Sequence, residues 1–376
     1  MNRITILKYL DSLLGKCISA FIPDADISKN RYGPLGSFLF IRPGGIGDAV
    51  LLIPVLNVLR EQFPTAKITV LAEYRNSAVF KLCADIDTVL QYDRPSGLLQ
   101  AVRGDYDVAI DTEQWHRLSA VVVRMTCAPV MIGYATNERS RLFTHPIRYS
   151  HDDYETDSFF DLLEPLGIQA GFVTERFLVI PETSVVAVST LLADLGTNPF
   201  VTIFPGASIP ERRWGADRFR QVAVMLSIFG VRVVVVGGKE DHQQGETIVD
   251  GGLGLNLAGR TSLSETAAVI DRSALLVSGD SGVLHIAVGL GKPTVSLFGP
   301  GRAKKWAPRG DRHIVINKEL PCSPCTSFGN TPPCNINAQC MQSITADEVA
   351  NAVTMLLTSV GVMPSCCDKR KWIEIV

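Results

Sequence analysis

From Ser37 onward, apolar runs of strand length alternate with longer stretches of helical period, and several of the short runs end in a Gly- or Pro-rich turn. A chain patterned this way is confined to successive βα units, because a parallel sheet covered on both faces needs apolar strands joined by crossovers of helical length. Two such series can be read. The first predicts strands at 38–42, 67–72, 88–91, 107–111 and 130–133, with a helix over 47–63 that Pro64 closes. The second predicts strands at 200–204, 232–236, 275–278 and 294–298, with a helix over 216–229. Between them, 181–199 carries a short helical segment bounded by two prolines, and the hinge is placed there. The fold class is therefore α/β, with two Rossmann-like doubly wound domains over 37–185 and 186–376, preceded by a leader at 1–36. In such sheets ligands sit beyond the carboxyl ends of the strands, so the loops of the two domains are expected to face a central cleft.

Composition removes several function classes. With 376 residues the chain suits two domains. Lys plus Arg is 36 and Asp plus Glu 38, a formal net charge of −2, without the basic excess of a nucleic-acid footprint. No apolar run approaches the roughly 18 residues of a membrane span. Nine cysteines, six of them beyond position 320, are not the pattern of a small disulfide scaffold. Lys8, Asp11 and Lys16 interrupt the leader, which argues against a cleaved signal peptide and for a cytoplasmic protein.

Four loops carry the chemistry. Gly45-Ile46-Gly47 opens the first helix and can present backbone N–H groups to an anion or let a substrate approach closely. As a dinucleotide fingerprint it is incomplete, since Val50 stands where a third Gly is expected, although Glu73 could pass for the ribose-binding acid. Asp48 sits at the helix start, where a carboxylate is favoured by the helix dipole, as a catalytic group or as a plain first-turn acid. Pro205-Gly206-Ala207-Ser208 with Arg212-Arg213-Trp214 places two cations after a strand, and arginine forks suit phosphate oxygens. Gly237-Gly238-Lys239-Glu240 follows the next strand. Gly279-Asp280-Ser281-Gly282 opens a helix whose N–H groups can hold a diphosphate, with Asp280 and Ser281 as ligands or N-caps and His285 as a ligand or a core histidine.

These motifs, in this order, resemble glycosyltransferase family 9, the lipopolysaccharide heptosyltransferase family. The resemblance runs over about 37–357 and rests on Ile41-Arg42-Pro43-Gly44-Gly45-Ile46-Gly47-Asp48 with Pro54, Phe204-Pro205-Gly206-Ala207-Ser208 with Arg212-Arg213-Trp214, and Gly237-Gly238-Lys239-Glu240. It continues through Gly279-Asp280-Ser281-Gly282 with His285, Ala287, Gly291-Lys292-Pro293, Phe298-Gly299-Pro300 and Cys340-Met341. It implies a GT-B fold, an N-terminal half that receives the acceptor beside Gly45 and Gly47, and a C-terminal half that binds a nucleotide sugar. By the same analogy Asp48 is the general base, Arg212 meets the donor phosphates, Glu240 the nucleoside and Asp280 the donor sugar, with Ser208, Ser281, Gly282 and His285 around it. Gly215 replaces the family's usual Pro after the Trp.

The chemistry suits these residue types on its own terms. Attack by a sugar hydroxyl needs a proton acceptor, and a departing nucleoside diphosphate needs fixed positive charge. One carboxylate with no second one evident implies a single inverting displacement. The expected reaction is transfer of a heptose from ADP-heptose to a lipid-linked or core oligosaccharide, with no required cofactor or metal. The alternatives are another nucleotide sugar, a nucleotide-sugar-binding protein without turnover, or a nicotinamide oxidoreductase. Asp24-Ala-Asp26, Asp85-Ile-Asp87 and Asp105-Tyr-Asp107 lack the strand-end context of a metal-binding Asp-x-Asp.

Two features stand apart. Cys322, Cys325, Cys334 and Cys340 have a C-x2-C-x8-C-x5-C spacing compatible with structural zinc, a disulfide pair or reduced thiols. The leader places Ile6, Leu7, Leu10, Leu13, Leu14, Ile18 and Phe21 on one side of a helical wheel, suited to a membrane surface or to packing on its own domain. Cys366-Cys367 near the C-terminus reads as an exposed tail, palmitoylation being the alternative.

Overall fold

The computed structural model describes residues 11, 15, 18, 21–26, 35–169, 171, 173–327 and 330–363. It divides into two compact units, Met1–Val179 and Ile180–Val376.

The first unit is built on a parallel sheet of six strands: β1 (Ser37–Arg42), β2 (Lys67–Ala72), β3 (Thr88–Gln91), β4 (Val108–Asp111), β5 (Val130–Tyr134) and β6 (His145–Ile147). Their spatial order is β3-β2-β1-β4-β5-β6, so the order reverses between β1 and β4. The central strands are largely apolar because both faces are covered; Phe38, Leu39, Phe40 and Ile41 are all buried. Helix α1 (Ile46–Gln62) follows β1 and buries every residue from Ala49 to Leu56. Helices α2 (Arg117–Met125) and α3 (Glu155–Asp161) complete the cover that matters to the site. Strand β6 is absent from the sequence reading because it is three residues long with Pro146 in its middle, a composition that only an edge strand tolerates.

Of the leader's apolar stripe, Ile6, Leu7, Leu10, Leu13 and Leu14 lie outside the described residues. Asp11 does not: its carboxylate accepts the backbone N–H groups of Arg117 and Leu118 at 2.9 and 2.8 Å and meets His116 Nδ1 at 3.2 Å. It therefore supplies the N-terminal anion that α2 lacks from its own neighbours. Further along, Ala25 N–H donates to Arg141 O, and Arg141 pairs with Asp24. Asp11, Asp24 and Ala25 are thus tied to the domain, whereas Ile18 and Phe21, the described members of the apolar stripe, are exposed.

The second unit repeats the plan with β7 (Phe200–Phe204), β8 (Arg232–Val235), β9 (Gly254–Asn256), β10 (Leu275–Gly279), β11 (Thr294–Phe298) and β12 (His313–Asn317) in the order β12-β11-β10-β7-β8-β9. The reversal here lies between β7 and β10. Helix α4 (Ala216–Ser227) packs Phe219, Val222, Ala223 and Leu226 into a core shared with the strands and with the C-terminal helix, α6 (Ala346–Ser359). Helix α5 (Gly282–Gly289) follows β10. Trp214 is 2 % exposed and donates its indole N–H to Ile344 O at 3.0 Å, tying the arginine loop to the chain ahead of α6. Gly215, in place of the family's Pro, has φ 112° as the N-cap of α4, a conformation closed to proline.

Candidate functional site

In the first unit the loop after β1 sits at the sheet's reversal point, where doubly wound sheets bind their ligands. Gly45 is the N-cap of α1 and Asp48 lies in its first turn. Asp48 accepts no hydrogen bond from another described residue; its ion-pair partner is Arg42, whose Nη2 stands 4.0 Å from Asp48 Oδ2. Arg42 is 1 % exposed, an extreme position for a cation, and it is fully engaged. Its Nε donates to Pro43 O at 2.7 Å, Nη1 to Thr112 O at 2.8 Å, and Nη2 to Glu113 Oε2 at 3.4 Å. Burial alone would depress the Arg42 pKa, but Asp48, Glu113, Glu155 and Asp111 outweigh it and push it up. Glu113 is held below the usual carboxylate range in spite of burial, because Arg42, His116 and Arg139 surround it. The other Glu113 oxygen accepts the N–H groups of Gln114 and Trp115 at 3.0 and 3.1 Å.

Gly44 rather than Gly45 or Gly47 is the glycine this turn requires. Its φ is 110°, and a Cβ there would lie 3.1 Å from Arg42 Nη2. Tyr149 stands over the same region, its hydroxyl donating to Glu155 Oε2 at 3.0 Å, and burial with the nearby Glu155 pushes its pKa up.

In the second unit, β7 and β10 end beside one another, and their loops bring Arg212 and Asp280 together at 2.8 Å. Ser281 is the N-cap of α5; its Oγ accepts the Leu284 N–H at 3.3 Å and contacts Ser278 Oγ at 2.8 Å. Gly282 begins the helix, so its N–H belongs to the first turn, where helical partners are missing. His285 lies beneath, 3 % exposed, and burial takes its pKa down to about 4, so the ring is neutral at ordinary pH. Its Nδ1 has no hydrogen-bond partner among the described residues.

The remaining expected residues separate. Ser208 is exposed on the loop, and Arg213 donates both Nε and Nη2 to Ala207 O, bracing its own loop. Glu240 is exposed, whereas Asp241, which the motif reading passed over, is 3 % exposed and accepts the Gly238 N–H at 3.0 Å. Asp241 also explains two glycines: a Cβ at Gly206 or Gly237 would come within 2.5 or 2.7 Å of its carboxylate. The sequence signal for Asp241 was the Gly-Gly three residues before it, and that for Arg42 a charge inside an apolar strand.

Cys322, Cys325, Cys334 and Cys340 line a single cavity of about 280 Å³ as free thiols. Among the described residues, no group of three or more His, Cys, Asp and Glu is arranged to hold a metal. The zinc expectation thus finds no preformed ligand set among the described residues. The Asp-x-Asp residues have local work: Asp107 accepts the N–H groups of Gly36 and Ser37, and Asp87 pairs with Arg60.

Two Rossmann-like units with these loops at their reversal points have the architecture of the GT-B class. The sequence model of glycosyltransferase family 9 (heptosyltransferase) matches residues 96–335, and the chain belongs to that family. Lipopolysaccharide heptosyltransferase 3 of Escherichia coli K12 is 28 % identical over 288 residues, 70 % of this chain and 82 % of the relative. A family 9 glycosyltransferase from Veillonella parvula superposes with a TM-score of 0.74 at 23 % identity, covering 88 % of this chain and 99 % of that one. The E. coli ADP-heptose lipopolysaccharide heptosyltransferase II gives 0.69 at 21 %, covering 86 % and 99 %. No described helix is long and apolar enough to cross a membrane.

Proposed function

We propose that this enzyme transfers a heptose from ADP-heptose to a lipopolysaccharide-core or related envelope acceptor, by a single inverting displacement that needs no metal. The observation that carries the reading is the Arg212–Asp280 pair against the opening of α5. A cation and a helix N-terminus suit the two phosphates of a nucleoside diphosphate, and the carboxylate suits the hydroxyls of its sugar. The names of the relatives, which specify heptose and ADP-heptose, favour that donor over another nucleotide sugar.

Asp48 is the proton acceptor for the incoming hydroxyl. Glu113, the neighbouring carboxylate, is buried and committed to Arg42 and to backbone N–H groups, so it is no candidate nucleophile for a double displacement. Arg212 and the first turn of α5 stabilise the leaving diphosphate, the task a divalent ion performs elsewhere. We assign the donor to the C-terminal domain, the acceptor to the N-terminal domain, and the reaction to the cytoplasm, peripheral to the membrane where the acceptor is lipid-linked.

The test is ADP release from ADP-heptose with a heptose-deficient core acceptor, followed by mass analysis of the product. Turnover should persist in excess chelator, and Asp48→Asn should lower kcat by roughly 10² to 10⁴ while donor affinity stays, the usual scale for a positioned base. Turnover restored only by Mg or Mn overturns metal independence. Full turnover in Asp48→Asn overturns the assignment of the base.

A further inference from the structure

A general base on the first turn of a helix has a geometric problem. A carboxylate that accepts a proton must keep a lone pair free, yet it must also stay aimed, since displacement by an ångström can cost a hundredfold in rate. Asp48 keeps its oxygens free of hydrogen bonds from other described residues, and its partner Arg42 stands at 4.0 Å, close enough to attract and too far to occupy a lone pair.

We infer that Arg42 is the positioning residue for Asp48, and that Glu113 with the carbonyls of Pro43 and Thr112 holds Arg42 for that purpose. The inference rests on the reading of Asp48 as the base. Every nitrogen of the guanidinium is used: two fix it to backbone oxygens, and the third faces Glu113 on one side and Asp48 on the other. A buried cation needs a counter-charge to remain buried, and Glu113 supplies it, leaving Arg42 rigid rather than drawn onto Asp48. The backbone agrees, since Asn76 donates to Arg42 O at 3.0 Å and Gly44 leaves room beside Nη2.

Neighbouring charges are otherwise engaged. Asp111 and the Glu113 carbonyl hold Arg139, Glu155 accepts from Tyr149 and Gln114, and Arg75 pairs with Glu73. Lysine keeps the charge of Arg42 but offers one nitrogen where three are placed, so it separates placement from charge.

The experiment uses the full chain with Arg42→Lys, Glu113→Gln, Arg60→Lys, Asp48→Asn and the double variant Arg42→Lys with Asp48→Asn. Arg42→Lys should lower kcat by about 10- to 100-fold while the KM of each substrate and the Kd of ADP stay within about twofold. Glu113→Gln should act in the same direction, and it carries the test if Arg42→Lys does not fold. Arg60→Lys, in the same unit but paired with Asp87 and without contact to Arg42, Glu113 or Asp48, should leave kcat alone. In the Asp48→Asn background, Arg42→Lys should cost nothing further, because a residue acting through Asp48 has nothing left to place. Wild-type kcat in Arg42→Lys, or an equal loss with and without Asp48, overturns the role of Arg42 alone. Full turnover in Asp48→Asn overturns the base assignment, and the role of Arg42 with it.

Discussion

The Arg212 guanidinium lies 2.8 Å from the Asp280 carboxylate, so each is the other's counter-ion at the loop ends of β7 and β10. Both side chains are largely buried, 15 % and 8 % exposed, which makes removal of one partner costly to the other. Arg212→Ala should therefore weaken ADP binding by about 10- to 100-fold and lower kcat/KM at least as much, because a charged hydrogen bond is lost and Asp280 is left uncompensated. Calorimetry with ADP and turnover on the same preparation check it. Unchanged affinity and rate would refute a phosphate-binding role for Arg212.

Buried His285 should make the second unit acid-sensitive. Its pKa falls from an ordinary value near 6.5 to about 4 on folding, chiefly through burial. Because the unfolded chain binds this proton first, the stability that the neutral ring permits is complete above pH 6.5 and is lost as pH falls toward 4. The loss approaches about 3 kcal/mol for a shift of that size. His285→Gln should flatten this part of the profile. Urea unfolding at pH 7, 5.5 and 4.5 for both proteins measures the difference; parallel profiles would exclude His285 as the cause.

The leader should contribute to the stability of the first unit through Asp11. Asp11 accepts two N–H groups at the start of α2, and Asp11→Ala removes both bonds at a cost of about 1–2 kcal/mol. For a unit of this size that lowers the melting temperature by a few degrees. Differential scanning calorimetry reads it, and an unaltered transition would mean that the contact contributes nothing to folding.

Two adjacent glycines should respond oppositely to the same change. Gly44→Ala places a Cβ at φ 110° and 3.1 Å from Arg42 Nη2, so it should cost about 1–3 kcal/mol and reduce turnover by displacing Arg42. Gly45→Ala meets Asp48 Oδ2 only at 3.7 Å and has φ −75°, which any residue adopts. It should fold with little loss. Equal melting temperatures for the two variants would show that the left-handed turn is not the constraint.

The alternation of apolar runs and helical periods was enough to read both doubly wound sheets, because a parallel strand covered on both faces must be apolar along most of its length. The reading failed where that condition lapses. Strands β6 and β9 are only three residues long, and the apolar run of β12 is just Ile314 to Ile316 between His313 and Asn317, too short to stand out. The glycine-rich loops were legible for a related reason: only small residues let a backbone turn at a strand end and approach a ligand or a buried carboxylate. What the tertiary structure decided was which charges share a site. Arg42 and Glu113 are 71 positions apart in the chain, Arg212 and Asp280 are 68, and each pair meets only because β1 lies beside β4 and β7 beside β10. Local pattern specifies a strand and the turn after it, since those depend on neighbours in sequence. The pairing of charges depends on strand order, which is set by packing over the whole sheet and leaves no mark near the residues it brings together.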